Sequence, residues 1–245
     1  MKGIVQALVW VLALALVTVL VAYLMARPIT AAACPACFGL EKAADGVYVQ
    51  TGMGAAERSR VLATVTASRA QAGKFYGGLQ HQPRILVCAD DACFGRMGGM
   101  PGAATGAQGS DVLMVSHLGS QQGGVFITAG LSRAELYGRV GFWKFNMGAV
   151  PMWFDEGVAV EVAEDPMYLA PRPIGGRCKA GSFPDMPATP SEWQQELQTE
   201  GDVLYAQSAC KVDMWIFQNG GPKAVTGLLA KVAQGQDFDK LFPPQ

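Results

Sequence analysis

The chain has 245 residues, with 19 Lys and Arg against 20 Asp and Glu, and a formal net charge of −1 at pH 7. Such a balance provides no broad basic face and argues against nucleic acid as a partner. Half of the residues are hydrophobic and 16% are charged, which excludes a disordered chain, and the length suits one domain with its own core.

The N-terminal segment is apolar from residue 4 to residue 25, apart from Gln6 and Thr18, and Arg27-Pro28 closes it. As a helix it would be roughly 33 Å long at about 1.5 Å per residue, close to a hydrocarbon core of roughly 30 Å. A cleaved signal peptide has a shorter apolar core, of about 7–15 residues. We therefore expect a transmembrane anchor at residues 1–27, with the membrane contacting residues 4–26, although Ala31–Ala33 leaves cleavage open.

Six cysteines follow, and their number is typical of a domain in an oxidising compartment. This places the domain on the periplasmic or extracytoplasmic side of the cytoplasmic membrane. Six cysteines allow fifteen pairings. We expect three disulfides, while the redox spacing of the first pair and a four-thiolate zinc site remain alternatives. The expected pairs are Cys34–Cys37, Cys88–Cys93 and Cys178–Cys210.

Residues 28–45, which carry the first cysteine pair, are interpreted as a linker to a domain at residues 46–245. Strands are predicted at 46–51, 84–89 and 111–116, and helices at 55–76, 125–141, 152–164, 191–199, 202–218 and 222–234. Glycine-rich residues 95–110 and proline-rich residues 165–190 are predicted to be loops. The fold class is α+β, with a small early β-sheet and a mainly helical C-terminal half.

One predicted helix carries a recognisable motif just after Pro151, a residue that helices tolerate in their first turn. Its sequence Trp153-Phe154-Asp155-Glu156-Gly157-Val158-Ala159 resembles the second motif of the Glu-type zincin metallopeptidases, W-hydrophobic-x-E-G-x-A. The start of a later helix at Tyr205 is similar to the same family. The resemblance covers roughly residues 110–242 and implies a zincin-like domain in which Glu156 stands at the third zinc ligand.

The zinc-binding helix of that family needs HExxH, in which two imidazoles hold the metal and the Glu is the general base. Residues 128–133, T-A-G-L-S-R, fall where T-H-E-L-S-H is expected. Ala129 stands at the first His, Gly130 at the Glu and Arg133 at the second His. The two histidines of the chain, His81 and His117, form no such pair. We therefore expect no metal, no cofactor and no catalytic residue at this degenerate site.

Arg133 would project toward the place of the lost metal, and Glu156 would face it from the next helix. An ion pair between them would neutralise a buried carboxylate. Two alternatives stay open. Ser132 and Glu135 match a capping box, which would start the helix at Ser132 and separate Ala129 from Arg133. Alternatively, Glu156 is a surface carboxylate favoured by the helix dipole.

These patterns predict a membrane-anchored, catalytically inactive zincin-like domain that binds or assembles with another membrane or periplasmic protein. Two other classes remain as alternatives: a divergent hydrolase, and a thiol–disulfide protein using Cys34 and Cys37. The hydrolase would have to use Glu135, Asp155, Glu156 or His117. The expected binding residues of the inactive domain are Arg133, Trp153, Asp155, Glu156 and Tyr205.

Overall fold

The computed structural model describes residues 27–100, 105–116, 123–180 and 185–242, and near the N-terminus residues 6, 9–15 and 17. The side chains of residues 105–108 are outside this description. The chain is mixed α and β, with a sheet in its first half and helices in its second.

The predicted transmembrane anchor is contradicted. Among the described residues, no helix combines the length and the apolar character needed to cross a membrane. Most of residues 1–26, where the anchor was expected, lie outside the described part of the chain. The expectation of a single-pass protein in the cytoplasmic membrane is therefore wrong on this finding.

The helices and strands follow one another in an order close to that predicted, with additional short elements. The strands are β1 (Leu40–Ala44), β2 (Val47–Gln50), β3 (Arg84–Cys88), β4 (Thr105–Gln108) and β5 (Val112–Ser116). The helices are α1 (Arg27–Ala33), α2 (Ala55–Tyr76), α3 (Asp91–Arg96), α4 (Gly123–Val140), α5 (Phe142–Asn146), α6 (Met152–Ala163), α7 (Pro190–Glu200), α8 (Val203–Gln218), α9 (Lys223–Ala233) and α10 (Phe238–Leu241). A 3₁₀ turn, Pro35–Phe38, precedes β1.

The described strands form a five-stranded sheet in the order β1-β2-β3-β5-β4. β2, β3 and β5 are parallel, and the edge strands β1 and β4 are antiparallel to their neighbours. Ile85 and Val87 face an apolar cluster shared with α2 and α4, whereas Leu86 and Cys88 face a second cluster shared with α1 and α3. Because both faces are covered, the central strands have continuous apolar sequences.

Residues 28–45 are part of this fold and do not form a free linker. Ala31 and Ala32 of α1 are buried together with Phe38 and Leu40 against one face of the sheet. β1 then pairs with β2 through residues that had been assigned to the linker. The domain boundary predicted at residue 46 therefore falls inside the sheet.

Two helices behind the sheet hold the region of the zincin-like motif. α4 packs against α2 and the sheet on one side and against α6 on the other. It begins at Gly123, well before Ser132, so the alternative in which Ser132 caps the helix is wrong. Since Ala129 and Arg133 are one turn apart within the same helix, they lie on one face of it.

α6 and α8 pack so closely that a glycine is required between them. A β-carbon added to Gly157 would lie 2.6 Å from the backbone oxygen of Ser208. The Ser208 hydroxyl donates to the backbone oxygen of Trp153, which joins the two helices a second time. The glycine of the motif therefore sets the distance between the helices that carry Glu156 and Tyr205.

We expect Gly157→Ala to lower the free energy of unfolding by about 1–3 kcal/mol, since the added methyl group has no room against backbone atoms. Gly227→Ala is a matched control, because Gly227 lies inside α9 with nothing within 4 Å of an added β-carbon. That control should be neutral or stabilising by up to about 1 kcal/mol. Urea unfolding of both variants measures the difference, and equal stability would contradict the close packing of α6 and α8.

Candidate functional site

A cavity of about 590 Å³ lies where α4, α6 and the start of α8 meet. Its floor contains the degenerate-site positions Ala129, Gly130, Arg133 and Glu156, and Tyr205 lies in its wall. The remaining lining residues come from the same helices, from α7, from the turn after α6 and from the turn between α7 and α8: Val125, Phe126, Ala159, Val160, Ala163, Asp165, Met167, Tyr168, Leu197, Gly201 and Asp202.

The position of the family's general base is closed by packing. A β-carbon on Gly130 would lie 2.4 Å from the side chain of Leu113, a buried residue of β5. Any side chain longer than hydrogen would therefore require the Leu113 side chain to shift within the core. The space that a glutamate side chain at position 130 would enter is occupied by Leu113. This helix therefore differs from an HExxH helix in packing as well as in composition.

Arg133 and Glu156 form an ion pair across the cavity floor. The Arg133 Nη2 group donates to Oε2 of Glu156, and Nε of Arg133 lies 3.9 Å from Oδ2 of Asp155. The Arg133 side chain is 33% exposed and that of Glu156 only 4%, so the arginine reaches from the cavity to a buried carboxylate. The contact that the sequence predicts between these residues is present, and Glu156 is not a surface carboxylate.

The ionisation of this group of residues is governed by burial and by Arg133. Burial raises the pKa of Asp155 and that of Glu156, and Arg133 opposes the rise in both. Burial would lower the pKa of Arg133, but the two carboxylates outweigh it and raise that pKa above its ordinary value. Oδ1 of Asp155 and Nε of Arg133 are buried without hydrogen-bond partners. Asp155 is therefore less well compensated than Glu156.

Two tyrosines form one wall of the cavity. Tyr168, in the turn after α6, stacks on Tyr205 of α8 with ring centroids 5.2 Å apart and planes 23° apart. Burial and nearby carboxylates raise the pKa of both phenols. Both rings are therefore neutral at physiological pH and present aromatic surface and hydroxyl groups to the cavity.

A buried acidic pair anchors the segment that carries Tyr168. Asp213 of α8 accepts the backbone N–H groups of Gly175 and Arg177 at 2.8 and 3.2 Å. The Arg177 guanidinium lies 3.3 Å from the carboxylate of Glu161 in α6 and 3.2 Å from that of Glu164, the residue that follows α6. Burial first, and then Asp213, raise the pKa of Glu161 to about 8. These contacts hold residues 165–180 against the helix pair.

Three disulfides join the cysteine pairs that the sequence predicts, so disulfide bonding is confirmed. Cys34–Cys37, Cys88–Cys93 and Cys178–Cys210 have Cα–Cα distances of 5.4, 5.6 and 4.7 Å, which are ordinary for such bonds. The last of them fixes residues 165–180 to α8 and so supports the cavity wall. Within the described residues, no group of three or more His, Cys, Asp or Glu side chains is arranged to hold a metal ion.

Other predicted site residues lie away from the cavity. Trp153 is buried in an aromatic cluster with Phe154, Phe238 and Phe242, and the Lys211 ammonium lies 4.4 Å from its ring centroid. Asp155 contacts Arg133 but does not line the cavity.

Of two further candidate catalytic residues, Glu135 lies outside the cavity and His117 is not among the described residues. The buried carboxylate of Glu135 accepts the backbone N–H groups of Gln80 and His81 and the side chain of Arg139, so it holds the loop after α2. His117 lies outside the described residues.

Several cavity residues were missed by the sequence interpretation. Asp165, Met167 and Tyr168 stand at the start of a proline-rich stretch that gave no periodic signal, and Asp202 is the first residue of a predicted helix. They meet the motif residues only because α6 and α8 pack against each other. Phe126 had a local signal, since it lies one helical turn before Ala129 on the same face of α4.

No protein-family model, curated protein or solved structure matches this chain. The resemblance to zincins therefore rests on the motif residues of the sequence and stays a prediction.

We expect Arg133→Met to destabilise the fold by about 3 kcal/mol, because it leaves a buried carboxylate without its partner. Arg58→Met is the matched control. The Arg58 side chain is equally exposed, at 33%, but its partner Glu41 is 40% exposed, so its loss should cost less than about 1 kcal/mol. Urea unfolding at pH 7 compares the two. Similar losses would show that the Arg133 ion pair does not stabilise the protein, whereas recovery in Arg133→Met/Glu156→Leu would support it.

We also expect stability to fall as the pH rises from about 5 to about 8. Glu161 keeps its proton in the folded chain up to a pKa of about 8, whereas its ordinary value is 4.5. Between these values the unfolded state binds fewer protons, so stability falls by up to about 1.4 kcal/mol per pH unit for this group. Urea unfolding at several pH values measures the slope. Glu161→Gln should reduce it, leaving the contributions of Asp155 and Glu156. The 63% exposed Glu164 provides the control variant Glu164→Gln. An unchanged slope in Glu161→Gln would contradict this assignment.

Proposed function

We propose that this chain is a catalytically inactive, zincin-like binding protein whose cavity takes up a peptide segment of another protein. The observation that carries the proposal is the ion pair between Arg133 and Glu156 in the cavity floor. These two residues stand at the positions of the second and third metal ligands in the motif alignment. A guanidinium thus neutralises the carboxylate that a zinc ion would neutralise in an active relative.

The residues present do not fit a zinc ion. Arg133 carries a positive charge at every physiological pH and has no lone pair to offer a metal. Ala129 offers no ligand atom, and Leu113 fills the space behind Gly130. Since Glu156 is engaged by Arg133, no pair of ligands is left among these four positions.

The cavity itself supports a binding role. Its volume of about 590 Å³ lies within the range of roughly 300–1,000 Å³ found for ligand sites. Apolar side chains such as Phe126, Met167 and Leu197 alternate with a few polar groups around it, which is the usual composition of such sites. In active zincins the corresponding cleft holds the peptide substrate, so loss of the metal ligands would leave binding without cleavage.

The two alternatives have less support. Of the residues considered for a hydrolase, only Glu156 lines the cavity within the described part of the chain, and Arg133 engages it. Cys34 and Cys37 form the bond that a thiol–disulfide protein would also have in its oxidised form, but they do not line this cavity.

The test measures metal content and peptide binding on the full chain, purified with its disulfides intact and without chelators. A fluorescein-labelled mixture of random hexapeptides is passed over the immobilised protein. We expect zinc well below one ion per chain and retention of a peptide fraction. Ala129→Phe, which fills the cavity, should reduce retention by about tenfold or more. Ala230→Phe, on the exposed side of α9, should leave it unchanged.

Two outcomes would contradict the proposal. One zinc ion per chain that is lost on changing Glu156→Ala would mean that the metal site is intact. Absence of any peptide retention, or retention that Ala129→Phe does not alter, would mean that the cavity is not a peptide site.

A further inference from the structure

The charges around the cavity are unequal in number. Among the described residues, its charged lining consists of one cation, Arg133, and three carboxylates, Glu156, Asp165 and Asp202. Behind the lining lie Asp155, 3.9 Å from Arg133, and Lys179, whose ammonium group donates to the backbone oxygens of Pro166 and Met167. The set therefore holds two cations and four acidic groups.

The single cation of the lining is already neutralised. Arg133 donates to Glu156 and has Asp155 beside it. An anion that entered the cavity would therefore meet one guanidinium and the two carboxylates already next to it. An anionic ligand would therefore be repelled by these carboxylates even where it reached a free N–H group of Arg133. The pocket consequently disfavours acidic ligands although it contains an arginine.

Glu156 also has capacity to bind. It is only 3% exposed, yet it lines the cavity, and its carboxylate has one hydrogen bond within the described residues, from Arg133 to Oε2. A carboxylate has about four acceptor positions on its two oxygens. A nearly buried acceptor with Oε1 unused therefore faces the cavity, and a positively charged donor is the partner that such a group favours most.

The aromatic wall favours the same chemistry. Tyr168 and Tyr205 are partly buried and stacked, and the Tyr168 hydroxyl lies 3.5 Å from Oδ1 of Asp202. Aromatic faces next to a carboxylate attract ammonium and guanidinium groups and also pack against the aliphatic stems that carry them. Asp202 is exposed, Asp165 is half-buried and Glu156 is buried, so carboxylates occur from the rim of the cavity to its floor.

We propose that the cavity is selective for an alkylammonium or guanidinium group, presented by a lysine or arginine side chain of the bound peptide. This inference depends on the proposed peptide-binding function and deepens it. The charged end of the ligand is held by Asp165 and Asp202, and its stem packs along Tyr168 and Tyr205. Glu156 accepts a hydrogen bond from a ligand that reaches the floor.

The experiment uses capped, fluorescein-labelled hexapeptides that differ at one central position: Lys, Arg, norleucine or Glu. Norleucine has nearly the length of lysine without its charge. Fluorescence anisotropy with the full chain should give dissociation constants for the Lys and Arg peptides at least about tenfold lower than for the norleucine peptide, and the Glu peptide should bind most weakly. Raising the salt concentration should weaken binding of the Lys peptide and leave the affinity of the norleucine peptide unchanged.

The variant Asp202→Asn keeps the size of the side chain and removes its charge. This variant should raise the dissociation constant of the Lys peptide by roughly fivefold to tenfold and leave that of the norleucine peptide unchanged. Asp239→Asn, which changes an exposed aspartate outside this cavity, should leave both affinities as they are. Binding of free spermidine is measured directly by titration calorimetry, because a polyamine carries the same ammonium chemistry without a peptide.

The outcomes separate the two proposals. If all peptides bind with similar affinity, the cationic selectivity is wrong while peptide binding stands. If no peptide binds, but spermidine binds and Asp202→Asn lowers its affinity, the cationic selectivity stands and the proposed peptide binding is wrong. If neither binds, or if the Glu peptide binds best, the cationic selectivity is overturned.

Discussion

The need to neutralise buried carboxylates on α6 governs the architecture around the cavity. Glu156 and Asp155 follow one another in a helix that is buried from Trp153 to Ala163, and burial deprives them of most of their hydration there. Arg133 supplies the compensating charge from α4, so the two helices must lie within reach of one guanidinium. In a metalloenzyme an ion does this and leaves a coordination position open to substrate. An arginine compensates the charge without opening such a position.

Much of the fold follows from local sequence signals. The helix at 55–76 is predicted with its observed ends, because apolar residues repeat at helical spacing and Gly77 ends it with a left-handed backbone conformation. The buried strand at 84–88 is equally clear from its apolar run. Edge strands gave no such signal. Leu40–Ala44 and Thr105–Gln108 are short, lack alternation and are stabilised by a neighbouring strand rather than by their own pattern.

The candidate site likewise contains residues that the sequence predicts and residues that it does not. Arg133 and Glu156 could be related from sequence because both fall on helices whose registers a motif fixes, and their contact needs only that those helices pack. Trp153 was expected at the site, but the helix turns it into the aromatic core. Asp165 and Tyr168 could not be predicted, since their positions depend on a turn whose path is set by distant contacts to α8.

The cavity therefore has two parts of different mechanical character. Its floor belongs to helices held at a fixed separation by Gly157, whereas its wall belongs to a segment attached to those helices by Asp213, Arg177 and one disulfide. The attachment points come after Tyr168 in the chain and lie outside the cavity lining. Residues 165–168 are tied to the same frame, because the Lys179 ammonium donates to the backbone oxygens of Pro166 and Met167 and the Tyr168 ring stacks on Tyr205. The shape of the wall is thus set in part by residues that do not line the cavity.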